Sequence, residues 1–366
     1  MADKFETPNS KKTFQEYSGP KRKALEAEKV FDFFKLFMTP EIINQIVIET
    51  NRYYTEVNNL KPSRMKWKNV TKEEIYAFFG LMIAMGVCSL PELDDYWNKT
   101  QVFHMPWFSS IMSRDRFKQI LRYLHLADNA AAPAKDSPDY DKLYKLGKLH
   151  LTLNSTFREM YSPRRELSID EQMIGTKSRI SFIQYMPKKP KKFGIKIWAL
   201  CEALTGYCLQ YQIYTGAEEG TTEKGLTSRV VLDLMKQYEE KNHHLYCDNF
   251  YTSLSLMLDL SKKNIYACGT LRTNRAKLPK EFIHEDLSVG ESSYLATSDV
   301  LAVHWKDKRD VFALSTIHDS GERVINRYKG DVTKPEMICQ YNIFMGGVDK
   351  CDQFLSYYAL GRKTSK

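Results

Sequence analysis

The chain has 366 residues, 43% of them hydrophobic, and carries 54 Lys and Arg against 45 Asp and Glu, a net charge of +9. That size and apolar content support two or three domains with buried cores. No apolar run is long enough to span a bilayer and the polar start Met-Ala-Asp-Lys-Phe-Glu-Thr is no secretory signal, so membrane and secreted classes are set aside and a soluble intracellular protein is expected.

Residues 1–24 are polar and rich in turn formers, and read as a disordered N-terminal arm. From 25 to 165 the pattern is helical. Thr39-Pro40-Glu41 starts a helix whose apolar stripe is Ile42, Ile43, Ile46 and Val47. Thr71-x-x-Glu74 is a capping box, and Ser113 caps a helix carrying Phe117, Ile120, Leu121 and Leu124. A further helix is predicted through Leu143, Leu146, Leu149, Leu153 and Phe157. Strand texture then takes over at Glu166–Ile169, Ile195–Cys201 and Tyr207–Tyr214, followed by a helix over Leu226–Glu240. A strand His244–Cys247, a helix Tyr251–Lys263 and a strand Ile265–Thr270 complete the series. The order β-β-β-α-β-α-β, with an acid ending the first and fourth strands, predicts an α+β fold with a ribonuclease H-like core. Residues 275–335 read as a β-rich insertion, and the helical pattern resumes at Pro335, breaks at Gly346-Gly347 and restarts at Val348. The core is thus expected over 166–274 plus 336–358.

Four aspartates are the candidate metal ligands and catalytic residues: Asp170, Asp248, Asp349 and Asp352. Phosphodiester cleavage at neutral pH needs the attacking and leaving oxygens stabilised together. Two Mg²⁺ ions about 3.5–4 Å apart do this when several carboxylates converge on them. Mg²⁺, with Mn²⁺ as a substitute, takes hard oxygen ligands and needs neither His nor Cys. Asp349 and Asp352 lie three apart on a helix and so share a face. Spacing alone leaves other readings open, since a strand-end Asp is commonly a cap and acids favour helix starts. The seven cysteines, Cys88, Cys201, Cys208, Cys247, Cys268, Cys339 and Cys351, include no Cys-x-x-Cys pair; this argues against a disulfide framework and a compact zinc module. Basic residues gather at Lys188, Lys189, Lys191, Lys192 and Lys196 and at Arg272 and Arg275 with Asn274. Both groups are candidate DNA-phosphate contacts. Lys21-Arg22-Lys23 is a short nuclear-import-like cluster.

Five separated segments, in order, resemble the piggyBac family of DNA transposases. They are Arg116-Phe117 through Leu124-His125-Leu126-Ala127-Asp128-Asn129; Ser168-Ile169-Asp170-Glu171-Gln172-Met173 with Tyr185-Met186-Pro187-Lys188-Lys189-Pro190 and Phe193-Gly194-Ile195-Lys196; Cys247-Asp248-Asn249-Phe250-Tyr251-Thr252-Ser253; Gly269-Thr270-Leu271-Arg272-Thr273-Asn274-Arg275; and Gly346-Gly347-Val348-Asp349-Lys350-Cys351-Asp352-Gln353. The resemblance implies metal binding by Asp170, Asp248, Asp349 and Asp352, and a DNA-binding and dimerisation role for residues 25–165. It also implies excision and insertion at TTAA sites by a nuclear homodimer acting on transposon ends. The sequence departs from the family's pattern at its end. The resemblance implies further helices and a Cys/His zinc module beyond residues 359–366, so this chain is expected to be C-terminally truncated and to hold no zinc. The alternative is a domesticated or relic DNA-binding protein without transposition activity. A ribonuclease H-like nuclease of another family is disfavoured by the helical first domain and the insertion.

Overall fold

Thr39 opens the longest helix: its hydroxyl accepts the Ile42 N–H, Pro40 occupies the first turn, and the helix runs Pro40–Leu60. In this computed structural model, residues 6–7, 12–62, 66–100, 102, 104–176, 178–187, 189–216, 225–275, 278–326, 328 and 331–358 are described. They divide into two units. Residues 22–160, with those from Gln353 onwards, make one; those up to Lys21, with Tyr161–Asp352, make the other.

The first unit contains α1 (Val30–Phe37), α2 (Pro40–Leu60), α3 (Lys72–Val87), α4 (Pro106–Ile111), α5 (Arg114–Tyr123) and α6 (Leu149–Met160). Its core joins Ile43 and Ile46 of α2, Ile75, Phe78 and Leu81 of α3, and Phe117 and Ile120 of α5. The Thr71–Glu74 capping box forms as expected, and Glu74 has a second task. Arg116 of α5 donates to both Glu74 oxygens at 2.8 Å and lies 4.9 Å over the Trp67 ring. Burial pushes the Glu74 carboxyl up, but the Arg116 guanidinium outweighs it and holds the group below its ordinary range. Arg116→Ala is therefore expected to destabilise this unit by about 2–3 kcal/mol, because a two-pronged charged pair is lost and the acid left without its partner. Urea unfolding at neutral pH checks this; a change below about 0.5 kcal/mol would make the pair ornamental.

The Leu-His-Leu-Ala-Asp-Asn segment after α5 is a clasp. Asp128 pairs with Arg52 at 2.9 Å, Asn129 donates to Glu56 at 3.2 Å, and His125 stacks on Tyr53 with ring centroids 4.0 Å apart. The predicted helix from Leu143 starts later. Gly147 adopts φ 54° after a short 3-10 turn at Tyr144–Leu146, and α6 begins only at Leu149.

The second unit is built on one sheet. Its elements begin with β1 (Gly19–Pro20), β2 (Tyr161–Ser162), β3 (Glu166–Gly175), β4 (Gln184–Tyr185), β5 (Phe193–Glu202) and β6 (Cys208–Ile213). Next come α7 (Leu226–Met235), β7 (His244–Cys247), α8 (Leu254–Ser261), β8 (Tyr266–Thr270) and α9 (Lys280–Ile283). The chain continues through β9 (Ser292–Ala296), β10 (Leu301–Lys306), β11 (Asp310–Ser315), β12 (Glu322–Ile325), β13 (Val332–Pro335), α10 (Glu336–Phe344) and, as far as Asp352, the first part of α11 (Gly347–Tyr357). Nine strands among the described residues share the sheet, in the order β4-β5-β3-β7-β8-β11-β10-β9 with β6 beside β5. The run β6-β5-β3-β7-β8 is the ribonuclease H-like core: three antiparallel strands, then β7 and β8 parallel to β3. Val230, Val231, Leu234, Leu256, Met257 and Leu260 of α7 and α8 bury against it.

The inserted segment is β-rich and interrupts the core in sequence, but it does not stand apart. Its strand β11 pairs with β8, so β9–β11 lengthen the same sheet and cover what would be an open edge. Of the N-terminal stretch read as a disordered arm, residues 1–5 and 8–11 lie outside the described residues; in the described part β1 pairs with β2, the Phe14 ring lies tilted against His243 with centroids 4.8 Å apart, and Asn242 donates to the Thr13 carbonyl. Burial of ring surface and paired backbone groups explains why a polar stretch holds this course. No helix of the described residues is long and apolar enough to cross a membrane.

Candidate metal centre

Asp170 was expected at the end of its strand, but β3 continues to Gly175 because β5 stays paired with it throughout. What ends near Asp170 is the other ladder: β7 pairs with β3 through Ile169↔Cys247. The next residue on each strand is an aspartate, so the register itself sets Asp170 beside Asp248. The turn after β7 is held locally. The Phe250 N–H donates to Asp248 Oδ1 at 2.8 Å, and the Thr252 hydroxyl donates to the Asp248 carbonyl at 2.8 Å. A side chain at Gly269 of β8 would stand 2.1 Å from Thr252 Oγ1. The glycine of Gly269-Thr270 and the threonine of Asp248-Asn249-Phe250-Tyr251-Thr252 thus fit as a pair.

The set whose ligand atoms all lie within 4.8 Å of one another, among the described residues, is Asp170, Glu171 and Asp248. Glu171 was not anticipated from sequence, because alternation along a strand assigns it to the opposite face from Asp170. The Asp170 carboxylate folds back to accept the Glu171 N–H at 2.7 Å. Burial drives the Asp170 carboxyl up to about 7, against the pull of the Lys189 ammonium. Burial likewise raises Asp248, opposed by the Phe250 N–H.

Asp352 and Asp349 stand outside that set. Asp352 is half-buried on α11 and raised by burial, with the Gln172 side chain and the Lys189 charge acting against the rise. Lys189 also lies 3.8 Å from Asp170 Oδ2, so the one ammonium is shared between the strand acid and the helix acid. Asp349 is exposed in the first turn of α11. Gly347 sets the position of this helix: a Cβ there would fall 2.3 Å from Ser168 Oγ on β3. Tyr251 adds a group that sequence patterning passes over as core. It is 1% exposed, its hydroxyl has no hydrogen-bond partner among the described residues, and burial, then Glu171, Asp170 and Asp248, keep it protonated.

The basic candidates separate. Lys189 and Lys196 turn inward. Lys196 pairs with Glu171 at 3.2 Å and sits 4.9 Å from the Phe250 ring centroid and 5.3 Å from that of Trp198. Lys191 and Lys192 are exposed. Arg272 is exposed and donates to Asn249 Oδ1 at 2.8 Å, and Asn274 is exposed after it. Lys188 and the side chain of Arg275 lie outside the described residues.

The donor set is all carboxylate oxygen, partly buried, and carries more acids than the two lysines neutralise. A divalent hard cation fits those residues, whereas a soft metal would find no sulfur or imidazole in the set.

Comparison with known proteins agrees with this geometry. A family model described as Transposase IS4 matches residues 31–366. The human PiggyBac transposable element-derived protein 3 is 29% identical over 89% of this chain. The human PiggyBac transposable element-derived protein 5 is 23% identical over 96% of it. This chain spans 56% of the length of the first of these relatives and 70% of the second. A cryo-EM structure of a piggyBac transposase synaptic complex with hairpin DNA superposes with a TM-score of 0.85 at 31% identity, covering 96% of this chain and 73% of that one. These matches, over nearly the whole chain, place it in the transposase family, among the piggyBac-type members.

Proposed function

We propose that the chain is the core of a piggyBac-like DNA transposase that cleaves and rejoins DNA with a divalent cation, Mg²⁺ or Mn²⁺, at TTAA sites. The observation that carries this reading is the Asp170–Glu171–Asp248 cluster at the point where the β3–β7 ladder ends. Asp170 and Asp248 would hold the cation, joined by Asp352 and by Asp349 from α11. A bound cation would stabilise charge on the attacking and leaving phosphate oxygens. The chain's own residues do the rest. The Phe250 and Glu171 N–H groups orient the two carboxylates, and the Lys189 and Lys196 ammonium groups balance charge until a cation arrives. Lys191, Lys192, Arg272 and Asn274 offer exposed contacts for the DNA backbone. The structural relative being a DNA-bound assembly supports that placement.

A second reading is a transposon-derived protein that binds DNA without transposing. It is favoured by the names of the human relatives and by the exposed position of Asp349 outside the carboxylate set. One experiment separates the two: nicking of a supercoiled plasmid bearing TTAA-flanked ends, with Mn²⁺ or with EDTA, beside DNA binding by fluorescence anisotropy. Cation-dependent nicking upholds the first reading; binding without nicking upholds the second. Lys191→Glu with Lys192→Glu should weaken binding equally on unrelated duplexes and flatten the log K against log salt slope by about 2. An unchanged slope would move the DNA path elsewhere.

A further inference from the structure

Beyond the carboxylates, two large rings stand in water on one face of the sheet. Tyr185 of β4 is 56% exposed and Phe193 of β5 is 58% exposed. They are direct partners across an antiparallel ladder, with ring centroids 4.6 Å apart and planes tilted by 33°. A cross-strand ring pair steadies a hairpin through the surfaces the two rings turn to each other. Their outward surfaces remain in water, which hairpin stability does not require.

Register puts the rings on the same face as Asp170. Directly opposed residues of an antiparallel ladder share a face, and so do alternate residues along a strand. Asp170 is paired with Ala199 and Ile174 with Ile195, so Asp170, Ile174, Ile195, Phe193 and Tyr185 all project from one side. Ile174 is itself half-exposed and extends the apolar patch toward the acid. Along β5 the distance from Ala199 to Phe193 is about 20 Å, at roughly 3.3 Å per residue. The loop that joins the two rings, residues 186–192, returns to the metal centre: Lys189 ends 3.8 Å from Asp170 Oδ2. Lys191 and Lys192 of the same loop are exposed. Ring faces beside cationic side chains complement a polyanion that carries flat apolar groups. Duplex DNA presents phosphates and groove edges, its base faces being covered by their neighbours. An unpaired base has a face to offer.

We propose that Tyr185 and Phe193 form a stacking platform for unpaired DNA bases, with the lysines of the intervening loop holding the adjoining phosphates. The platform rests on the DNA-processing reading above and assigns to it a single-stranded segment beside the carboxylates. At about 3.4 Å per nucleotide, a strand engaged at Asp170 reaches the rings after about six steps. Stacking uses ring faces and no base edge, so the platform is indifferent to sequence.

The test measures binding of the folded full chain by fluorescence anisotropy, in EDTA so that no strand is cut. The probes are a blunt duplex, the same duplex with a single-stranded thymidine tail of about six nucleotides, and one whose tail is abasic. The two tails carry the same phosphates, and the wild type is expected to bind the thymidine tail about tenfold or more tightly than the abasic one. Tyr185→Leu with Phe193→Leu should remove that preference and leave affinity for the blunt duplex unchanged. Tyr185→Phe and Phe193→Tyr should each retain it. Equal binding of the two tails by the wild type, or an unaltered preference in the leucine pair, would overturn the platform while leaving the transposase reading standing. Wild-type self-association that the leucine pair loses, with no tail preference, would assign the rings to a second copy instead. Failure of the wild type to bind any of the three probes would overturn both. If the leucine pair does not fold, the wild-type comparison of thymidine and abasic tails decides alone.

Discussion

Asp248→Asn is expected to lower cation-dependent DNA nicking by at least about 10³-fold while leaving the fold intact. Asparagine keeps an oxygen for the Phe250 N–H, so the turn after β7 retains its hydrogen bond. It removes the negative charge that would draw a divalent cation toward Asp170 and Glu171. Cation assistance at both phosphate oxygens is worth several kcal/mol of barrier, and each ~1.4 kcal/mol is a factor of ten in rate. Nicking of supercoiled DNA with Mn²⁺, run beside calorimetric titration with Mn²⁺, reads both consequences. Wild-type cleavage and wild-type affinity in the variant would remove Asp248 from the site.

Asp170→Asn should act in the opposite sense on stability. The Asp170 carboxyl, ordinarily at 3.8, is pushed up to about 7 by burial. Well below 3.8 the group is protonated in the folded and unfolded chains alike and costs nothing. As pH rises toward 7 the unfolded chain releases its proton while the folded chain keeps it, so stability falls; above about 7 the penalty is complete. Its ceiling is ~4 kcal/mol. Asp170→Asn should therefore be the more stable protein at pH 8 in EDTA and should lose the downward slope between pH 4 and 7. Urea midpoints across that range measure it. Parallel pH profiles for the two proteins would show that Asp170 does not carry the strain assigned to it.

Much of the fold was readable because the signals were local. Thr39-Pro40 and the Thr71–Glu74 box name helix starts by chemistry that acts within one turn, and the β-β-β-α-β-α-β order follows from alternation and turn residues. The helix read as restarting at Val348 after the glycine pair forms as expected, from Gly347. What escaped depends on contacts distant in sequence. The length of β3 past Asp170 is decided by its pairing with β5, which the alternation within β3 does not encode. The membership of Glu171 depends on how the neighbouring carboxylate folds back on its N–H. The inward turn of Lys196, toward Glu171, needs Trp198 and Phe250 to enclose it, and neither neighbour is evident from the run of lysines. The placed part of the arm escaped for the same reason: polar composition does not show that a histidine far along the chain supplies a surface for Phe14.

That arm also gives the chain a timetable. Asn242 and Thr13 are 229 residues apart and yet share a hydrogen bond. At synthesis rates of about 5–20 residues per second, the segment near Thr13 waits on the order of 10–50 seconds for its partner to leave the ribosome. In the interval the helices between Val30 and Met160 are complete and free to fold as a nested unit, since their core draws on no later strand. The sheet, by contrast, cannot settle its register until β7 has emerged to pair with β3. The arm's contacts therefore close in steps: Thr13 waits for Asn242, Lys12 for Asn264, and Thr7 longest of all, for Asp319.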